Sequence, residues 1–245
     1  MTKQTAAAIE RRLSALGDPE RARHSLRFFR TGPGQYGEGD RFLGLTVPMI
    51  RAEARALKDA PLDVLAELLE SPWHEARLLA LVVMVEQHRR GGEAAREAIH
   101  RLYLNRTNRI NSWDLVDCSA AQIVGAQLGK DRRLLDRLAQ SESLWERRMA
   151  MIATAHFIRQ GQFGDALRIA AALVHDGHDL IHKAVGWMLR EIGNRDRAAE
   201  EAFLRRYASG MPRTMLRYAI EKFPERLRAQ YMTWPTTRAK RPLRS

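Results

Sequence analysis

The chain of 245 residues contains a single cysteine, Cys118, which excludes an intramolecular disulfide. It has no run of about 18 consecutive apolar residues, which excludes an ordinary membrane-spanning helix. The opening stretch, residues 1–17, carries acidic side chains and lacks the apolar core of a signal peptide, so a helix of the mature protein is expected there. These features predict a soluble, cytoplasmic protein without a membrane partner.

Acidic residues are scarce beside basic ones: 29 Asp and Glu stand against 41 Lys and Arg, which gives a formal net charge of +12. A surplus of this size favours a polyanionic partner, and nucleic-acid phosphates are the commonest match to a basic surface. Two other interpretations stay open, a charge that serves solubility alone and binding to an anionic membrane. The membrane is disfavoured because no predicted helix has a wide apolar face opposite a basic one.

Strand patterns are absent too, and helical periodicity dominates the chain. It predicts helices over residues 5–16, 18–31, 48–58, from 61, 72–90, 93–105, 111–127, 131–140, 144–160, 164–175, 179–193, 196–208 and 212–221. Residues 32–44 contain five glycines and one proline, which is typical of a loop. We therefore expect a single all-α domain over residues 1–232 and a basic, flexible tail over 233–245.

Helices joined by short turns can form a bundle or a solenoid, and weak self-similarity favours the solenoid. Arg77, Arg147 and Lys183 each begin a similar basic–x–x–small segment, at separations of 70 and 36 residues. These separations correspond to about two repeats and one repeat of a two-helix, HEAT-like unit. The prediction is a curved α-solenoid of HEAT-like helical repeats, whose concave basic groove can hold duplex DNA.

The segment NSWDLVDCSAAQIVG puts a carboxylate into an apolar row. At about 100° per residue, four side chains share one face of the predicted helix: Trp113, Asp117, Ala120 and Val124. An unpaired buried aspartate is costly, so Asp117 either pairs with an arginine of a neighbouring helix or stabilises a cation beside an aromatic wall. Asp114, in the first turn, is expected to be structural and to favour the helix dipole.

The segment LWERRMAMIATAHFI has a core-facing row that consists of Trp145, Met149, Ile152 and His156. Arg148 lies about 60° from that row, which predicts a position at a groove edge, unless it packs or forms an ion pair. Arg147 lies nearly opposite the row and is expected to face solvent or a loop.

The segment HDLIHKAVGWMLREIG has a core face that consists of Ile181, Val185, Met188 and Ile192. Trp187 lies on the other side, among Lys183, Arg190 and Glu191. A tryptophan among cations is typical of a nucleic-acid or ligand surface, although an adjacent repeat could equally cover it. Lys183 and Arg190 are therefore candidate DNA contacts.

Four segments in this order resemble the DNA alkylation repair family of HEAT-like-repeat DNA glycosylases: YGEGDRFLGLTVPMIR, SWDLVD, WERRMA and KAVGWMLRE. The resemblance covers roughly residues 20–230. It implies a curved solenoid with a cationic groove, catalytic roles for Trp113, Asp117 and Trp187, and a DNA-binding role for Arg148. Relatives that lack the aspartate are thought to bind DNA without excising bases, which makes Asp117 the decisive residue.

The activity that the resemblance implies is that of a monofunctional glycosylase in base-excision repair. Such an enzyme hydrolyses the N-glycosidic bond of cationic alkylated purines, for example 7-methylguanine and 3-methyladenine, in double-stranded DNA. No lysine shares the row of Trp113 and Asp117, so a lyase step is not indicated. We expect no cofactor and no obligate protein partner, and a monomer.

Other functions are weaker matches. His175, His178 and His182 have a spacing that invites a metal, but no cysteine or carboxylate cluster completes a ligand set, so no metal site is predicted. Residues 32–44 follow a helix and lack GK[ST], which disfavours a phosphate-binding loop. The main alternative is a non-catalytic HEAT-like scaffold that binds branched DNA, RNA or a protein, a role that needs no carboxylate amid two tryptophans.

Overall fold

The computed structural model describes residues 5–233, and residues 1–4 and 234–245 lie outside the described part. Within the described residues the regular structure is helical, apart from one isolated bridge between Arg41 and Trp73. The prediction of an all-α fold is thereby confirmed. The tail predicted over 233–245 lies outside the described residues except for Thr233, which is the last residue of a helix.

The chain divides into two compact units, with the boundary between Gln127 and Leu128. The first unit contains helices α1 (Ala6–Ala15), α2 (Pro19–Phe28), α3 (Val47–Ala56), α4 (Leu62–Leu69), α5 (His74–Arg90), α6 (Glu93–Leu104) and α7 (Trp113–Asp117). The second contains α8 (Arg133–Ala139), α9 (Leu144–Ala153), α10 (Ala155–Ile158), α11 (Gly164–Leu173), α12 (Asp179–Gly193), α13 (Arg197–Tyr207), α14 (Arg213–Ala219) and α15 (Glu225–Thr233). The single domain expected over 1–232 stays a prediction, since compact units can belong to one domain.

Capping side chains explain where several helices begin. Thr5 accepts a hydrogen bond from the backbone N–H of Ala8 and caps α1. Asp18 accepts from the N–H groups of Glu20 and Arg21 at 2.9 and 3.0 Å, with Pro19 in the first helical position of α2. The predicted starts of these helices are confirmed.

Two predicted helices are interrupted, and a fully buried hydroxyl lies at each interruption. The helix expected over 111–127 ends at Asp117 and resumes as a π-helical turn over Ala121–Gly125. Between them Ser119 donates to the carbonyl of Leu115 at 2.5 Å. The helix expected over 144–160 breaks at Thr154, which donates to the carbonyl of Met151 at 2.6 Å. A hydroxyl that bonds the backbone carbonyl of the preceding turn bends or disrupts a helix.

A seven-residue arrangement recurs where α5, α9 and α12 begin, over residues 71–77, 141–147 and 176–182. We call it the helix-start motif. Its first residue uses a side-chain oxygen to accept the backbone N–H two residues later, at 2.8–3.2 Å. Its seventh residue, a basic one, donates to the carbonyl of the first, at 2.5–3.0 Å. The first and seventh residues are Ser71 and Arg77, Ser141 and Arg147, and Asp176 and His182.

The motif supports the predicted repeat and corrects one of its positions. In every copy the helix begins three residues after the first residue of the motif. The seventh residues are separated by 70 and 35 residues, so the third repeat position is His182, and the expectation of Lys183 is wrong by one residue. The separation of 35 residues lies within the range of helix-pair repeats.

The core of the second unit forms around α12, which packs against α9, α11, α13 and α14. The predicted core face of α12 is confirmed, since Ile181, Val185, Met188 and Ile192 are all fully buried. Gly186 permits the close crossing of α14, because a Cβ atom there would lie 2.5 Å from the carbonyl oxygen of Met215.

Candidate functional site

Trp113, the first residue of α7, packs on an aromatic wall at the C-terminal end of α2. Its ring stacks on Phe29 with centroids 5.7 Å apart and meets Phe28 edge-on at 6.0 Å. Phe29 in turn stacks on Phe42, with centroids 4.9 Å apart. Trp113 is half-buried, whereas Phe28 is 58% exposed. The wall therefore has stacked rings at its inner end, around Phe29, and a solvent-exposed ring, Phe28, at its outer end.

Asp117 follows Trp113 by one helical turn, and both side chains are half-buried. Ala120 and Val124 are fully buried, and the helix is interrupted between Asp117 and the π-helical turn that follows, so the predicted row of four is not continuous. Burial raises the pKa of the Cys118 thiol above its usual range, and the charges of Asp114 and Asp117 raise it further. A half-buried carboxylate thus lies one helical turn from the tryptophan that packs on the aromatic wall.

A buried network of two carboxylates and two cations anchors α7 to α5. His74 lies 3.1 Å (Nδ1) from Asp40 and 2.8 Å (Nε2) from Asp114, so both ring nitrogens have carboxylate partners. Arg77 donates to the other oxygen of Asp40 at 2.6 Å. Asp114 is therefore structural, as expected, but through His74 rather than through the helix dipole.

The protonation of His74 follows from this network. Burial alone would lower the pKa of His74, but the charge and hydrogen bond of Asp114, together with the hydrogen bond of Asp40, raise it to about 9. Both ring nitrogens then carry protons and donate. Burial opposes the ionisation of Asp40, yet its hydrogen bond to His74 and the charge of Arg77 hold its pKa below the usual value.

His74 also supports the aromatic wall directly. Its ring stacks on Phe42 with centroids 4.7 Å apart and lies 4.9 Å from the ring of Phe29. Asp114, which His74 binds, is the residue next to Trp113. The position of Trp113 is therefore fixed twice, through the backbone of α7 and through the ring of Phe29.

In the second unit, Arg148 does not lie at an exposed edge. It is 4% exposed and donates to the backbone carbonyl of Leu180 in the first turn of α12. Its burial favours the alternative of a packing arginine over the groove-edge position, because α12 packs against the flank of α9 that carries Arg148. A DNA-binding role for Arg148 stays a prediction. Arg147 donates hydrogen bonds to the carbonyls of Ser141 and Glu142 in the loop before α9, as expected. It also pairs with Asp176 at 2.7 Å.

The face of α12 opposite its core carries the other predicted residues. Trp187 is half-buried, which agrees with its predicted side of the helix. Lys183 pairs with Asp179 at 3.2 Å, and Arg190 pairs with Glu221. Both cations are partly exposed and have carboxylate partners.

Across residues 5–233 no three His, Cys, Asp or Glu side chains cluster as a metal site. His178 caps α12 by accepting the N–H of Leu180, and His182 binds a backbone carbonyl. In the same part of the chain, none of the helices has the length and apolar character that a membrane crossing requires.

Three residues of the site were not predicted from the sequence: Phe28, Phe29 and His74. The pair of adjacent phenylalanines at the end of an otherwise polar helix was a usable signal for the wall. The partners of His74 lie 34 and 40 residues away in the chain, and no periodicity relates them.

The fold and these residues define a class: an all-α repeat protein with a carboxylate beside an aromatic wall in one unit and a tryptophan among cations in the other. The family model described as "DNA alkylation repair enzyme" matches residues 9–223. The chain therefore belongs to the DNA alkylation repair enzyme family.

A solved structure supports the fold. The chain resembles a predicted DNA alkylation repair enzyme from Enterococcus faecalis with a TM-score of 0.65 and 15% sequence identity. The match covers 85% of this chain and 97% of that one. At this identity the likeness shows the fold alone. A comparison with curated proteins finds no match.

Proposed function

We propose that the protein is a monofunctional DNA glycosylase that removes cationic alkylated purines, such as 7-methylguanine and 3-methyladenine, from duplex DNA. The observation that carries the proposal is the half-buried carboxylate of Asp117 one turn after Trp113, on a helix that His74 and Phe29 hold in place. Family membership supports a role in the repair of alkylation damage.

The chemistry asks little of an acid catalyst. A purine alkylated at N3 or N7 is already cationic and leaves as a neutral base when its bond to C1′ of the sugar breaks. The sugar then carries positive charge, which the carboxylate of Asp117 stabilises. A water molecule forms the new bond to C1′ and gives its proton to Asp117 or to solvent.

The aromatic wall supplies a surface for the sugar and backbone. Trp113 and the exposed Phe28 can pack against deoxyribose around the lesion and exclude water from one side of Asp117. Exclusion of water strengthens the attraction between the carboxylate and the developing cation. Phe29 and Phe42 keep the Trp113 ring from turning away.

On α12 we assign DNA contact to Trp187, Lys183 and Arg190. Their half-buried positions permit packing and charge contacts with a backbone. Arg148 receives a different role: a guanidinium that is 4% exposed and bound to the Leu180 carbonyl fixes the start of α12 rather than meeting a phosphate.

The experiment is single-turnover excision from a duplex that contains one 7-methylguanine, with the released base measured by mass spectrometry. Asp117→Asn is expected to reduce the rate by roughly 10²-fold, as for the loss of one preorganised electrostatic group. The matched control is Asp131→Asn, which removes the same charge from an exposed ion pair with Arg133. The control is expected to retain the wild-type rate.

Two results contradict the proposal. Equal rates in wild type and a folded Asp117→Asn protein remove the catalytic role of Asp117. A wild-type protein that binds duplex DNA and releases neither 7-methylguanine nor 3-methyladenine is a non-catalytic scaffold.

A further inference from the structure

A cavity of about 640 Å³ opens on the first unit between α3, α5 and the segment that follows α7. Helix α3 and its C-terminal turn line one side with basic residues, Arg51, Arg55 and Lys58. The opposite side includes Cys118 and Gln122. Since Cys118 is the residue directly after Asp117, the cavity adjoins the segment that carries the proposed catalytic carboxylate.

The three cations are exposed: Arg51 and Arg55 lie four residues apart on α3, and Lys58 follows three residues later in the turn after the helix. Within residues 5–233 none of the three side chains has an ion-pair partner, unlike Arg89 and Arg90 on the neighbouring α5. Glu86 also lines the cavity, but Arg89 donates to both of its oxygens, at 3.1 and 2.7 Å. The cavity therefore has uncompensated positive charge along one side.

The floor of the cavity differs from an ordinary charged surface. Val82 and Val85 of α5 contribute partly exposed apolar surface. The side-chain oxygen of Gln122 is buried without a hydrogen-bond partner among the described residues. A carboxamide that is not held by the protein can turn to donate its NH₂ group to an acceptor in the cavity.

We propose that this cavity, with its stripe of Arg51, Arg55 and Lys58, binds the phosphodiester backbone of a nucleic-acid strand next to the catalytic segment. The proposal rests on the proposed function and names a contact surface for it. Unpaired cations match phosphates, the valines match sugar carbons, and the Gln122 amide matches a phosphate oxygen.

The length of the stripe fits this partner. Arg51 and Arg55 are about 6 Å apart along α3 at a helical rise of about 1.5 Å per residue, and Lys58 extends the stripe into the turn after the helix. One strand of duplex DNA presents a phosphate about every 3.4 Å along the helix axis, so the stripe spans more than one phosphate. A single small anion can engage only one end of such a stripe.

The test compares two triple variants of equal charge. One replaces the stripe, as Arg51→Gln, Arg55→Gln and Lys58→Gln. The control replaces Arg11, Arg101 and Arg137 with Gln, three exposed arginines on three different helices. Affinity for an undamaged duplex is measured by fluorescence anisotropy over a series of salt concentrations, and melting temperatures confirm that both proteins are folded.

Each lost phosphate contact lowers the slope of log K against log salt by about 0.9. The stripe variant is therefore expected to flatten the slope by roughly 2 or more, and the control by less than about 1. Equal changes in both variants overturn the proposal, because only total charge would then matter. Stronger binding of inorganic phosphate than of a strand at equal phosphate concentration also overturns it.

The two proposals can fail separately. A protein that shows the slope change but releases no base keeps the strand site and loses the glycosylase. A protein that excises 7-methylguanine equally well with and without the stripe, and with the same salt slope, keeps the glycosylase and loses the strand site.

Discussion

The imidazole of His74 and the carboxylate of Asp114 lie 2.8 Å apart and join α5 to α7 inside the first unit. Both ring nitrogens of His74 have carboxylate partners, and the charges in the network sum to zero when His74 is protonated. Removing either partner leaves a buried charge uncompensated, which commonly costs a few kcal/mol. Substitution of His74 or Asp114 is therefore expected to destabilise the part of the fold that holds Trp113 and Asp117 in place.

The first prediction concerns pH. The pKa of His74 is about 9 in the folded protein and about 6.5 in the unfolded chain. A raised pKa of this kind contributes stability that is fully present below pH 6.5 and is lost as the pH rises through 9. We expect the melting temperature of the wild type to fall between pH 7 and 10 more steeply than that of His74→Gln. Parallel curves for the two proteins contradict the assignment.

The second prediction concerns Glu200 in the second unit. Its side chain is 1% exposed, and burial raises its pKa to about 8, while the charge of Arg197 opposes the rise. The unfolded state ionises near pH 4.5 and the folded state near 8, so the folded protein loses stability as the pH rises between these values.

Glu200→Gln keeps the shape and cannot ionise. It is expected to raise the melting temperature at pH 8 by several degrees and to change it little at pH 4, as measured by circular dichroism. The control is Glu201→Gln, at a neighbouring residue that pairs with Arg197 at 2.9 Å. No gain for Glu200→Gln at pH 8 shows that this carboxyl is ionised in the folded protein.

The third prediction separates two roles of Arg148. Because its guanidinium is buried against the Leu180 carbonyl, Arg148→Ala leaves that carbonyl without its donor and is expected to lower the melting temperature by several degrees. The duplex affinity of the folded fraction should stay within about threefold of wild type. A stable Arg148→Ala protein with a shallower salt slope restores the phosphate contact implied by family resemblance.

The fourth prediction uses the exposed end of the aromatic wall. Phe28 is 58% exposed, so Phe28→Ala is expected to change the melting temperature by only a degree or two. If its ring packs against the substrate, excision of 7-methylguanine falls by roughly tenfold, in keeping with the loss of one stacking contact. Val47→Ala is the control, since Val47 is 52% exposed and belongs to a different helix, α3. Unchanged excision by Phe28→Ala removes Phe28 from the site.

Local chemistry in the sequence predicted much of this structure. The periodicity of α12 gave its bounds and its core face, and Thr5 and Asp18 marked helix starts. Trp113 and Asp117 were recognisable because they are four residues apart on one helix. Each of these features depends on residues that are close in the chain.

Features that depend on distant residues were missed or misplaced. A helical wheel for α9 places Arg148 at an edge but cannot show that α12 covers that edge. The breaks at Ser119 and Thr154 arise because buried hydroxyls bond backbone carbonyls, and a hydroxyl in solvent does not force that choice. The pairing of His74 with Asp40 and Asp114 joins residues from three separate segments.

The helix-start motif has a consequence for how the chain acquires its structure. Each copy closes a loop of seven residues, and loops of about ten residues close in roughly 10–100 ns, long before distant helices can meet. Three starting points at equivalent positions let ordering nucleate in either unit and spread to neighbouring helices. The first unit, which ends at Gln127, contains its own copy of the motif at the start of α5. We infer that a nascent chain of this length can begin to form α5 before the helices of the second unit have been synthesised.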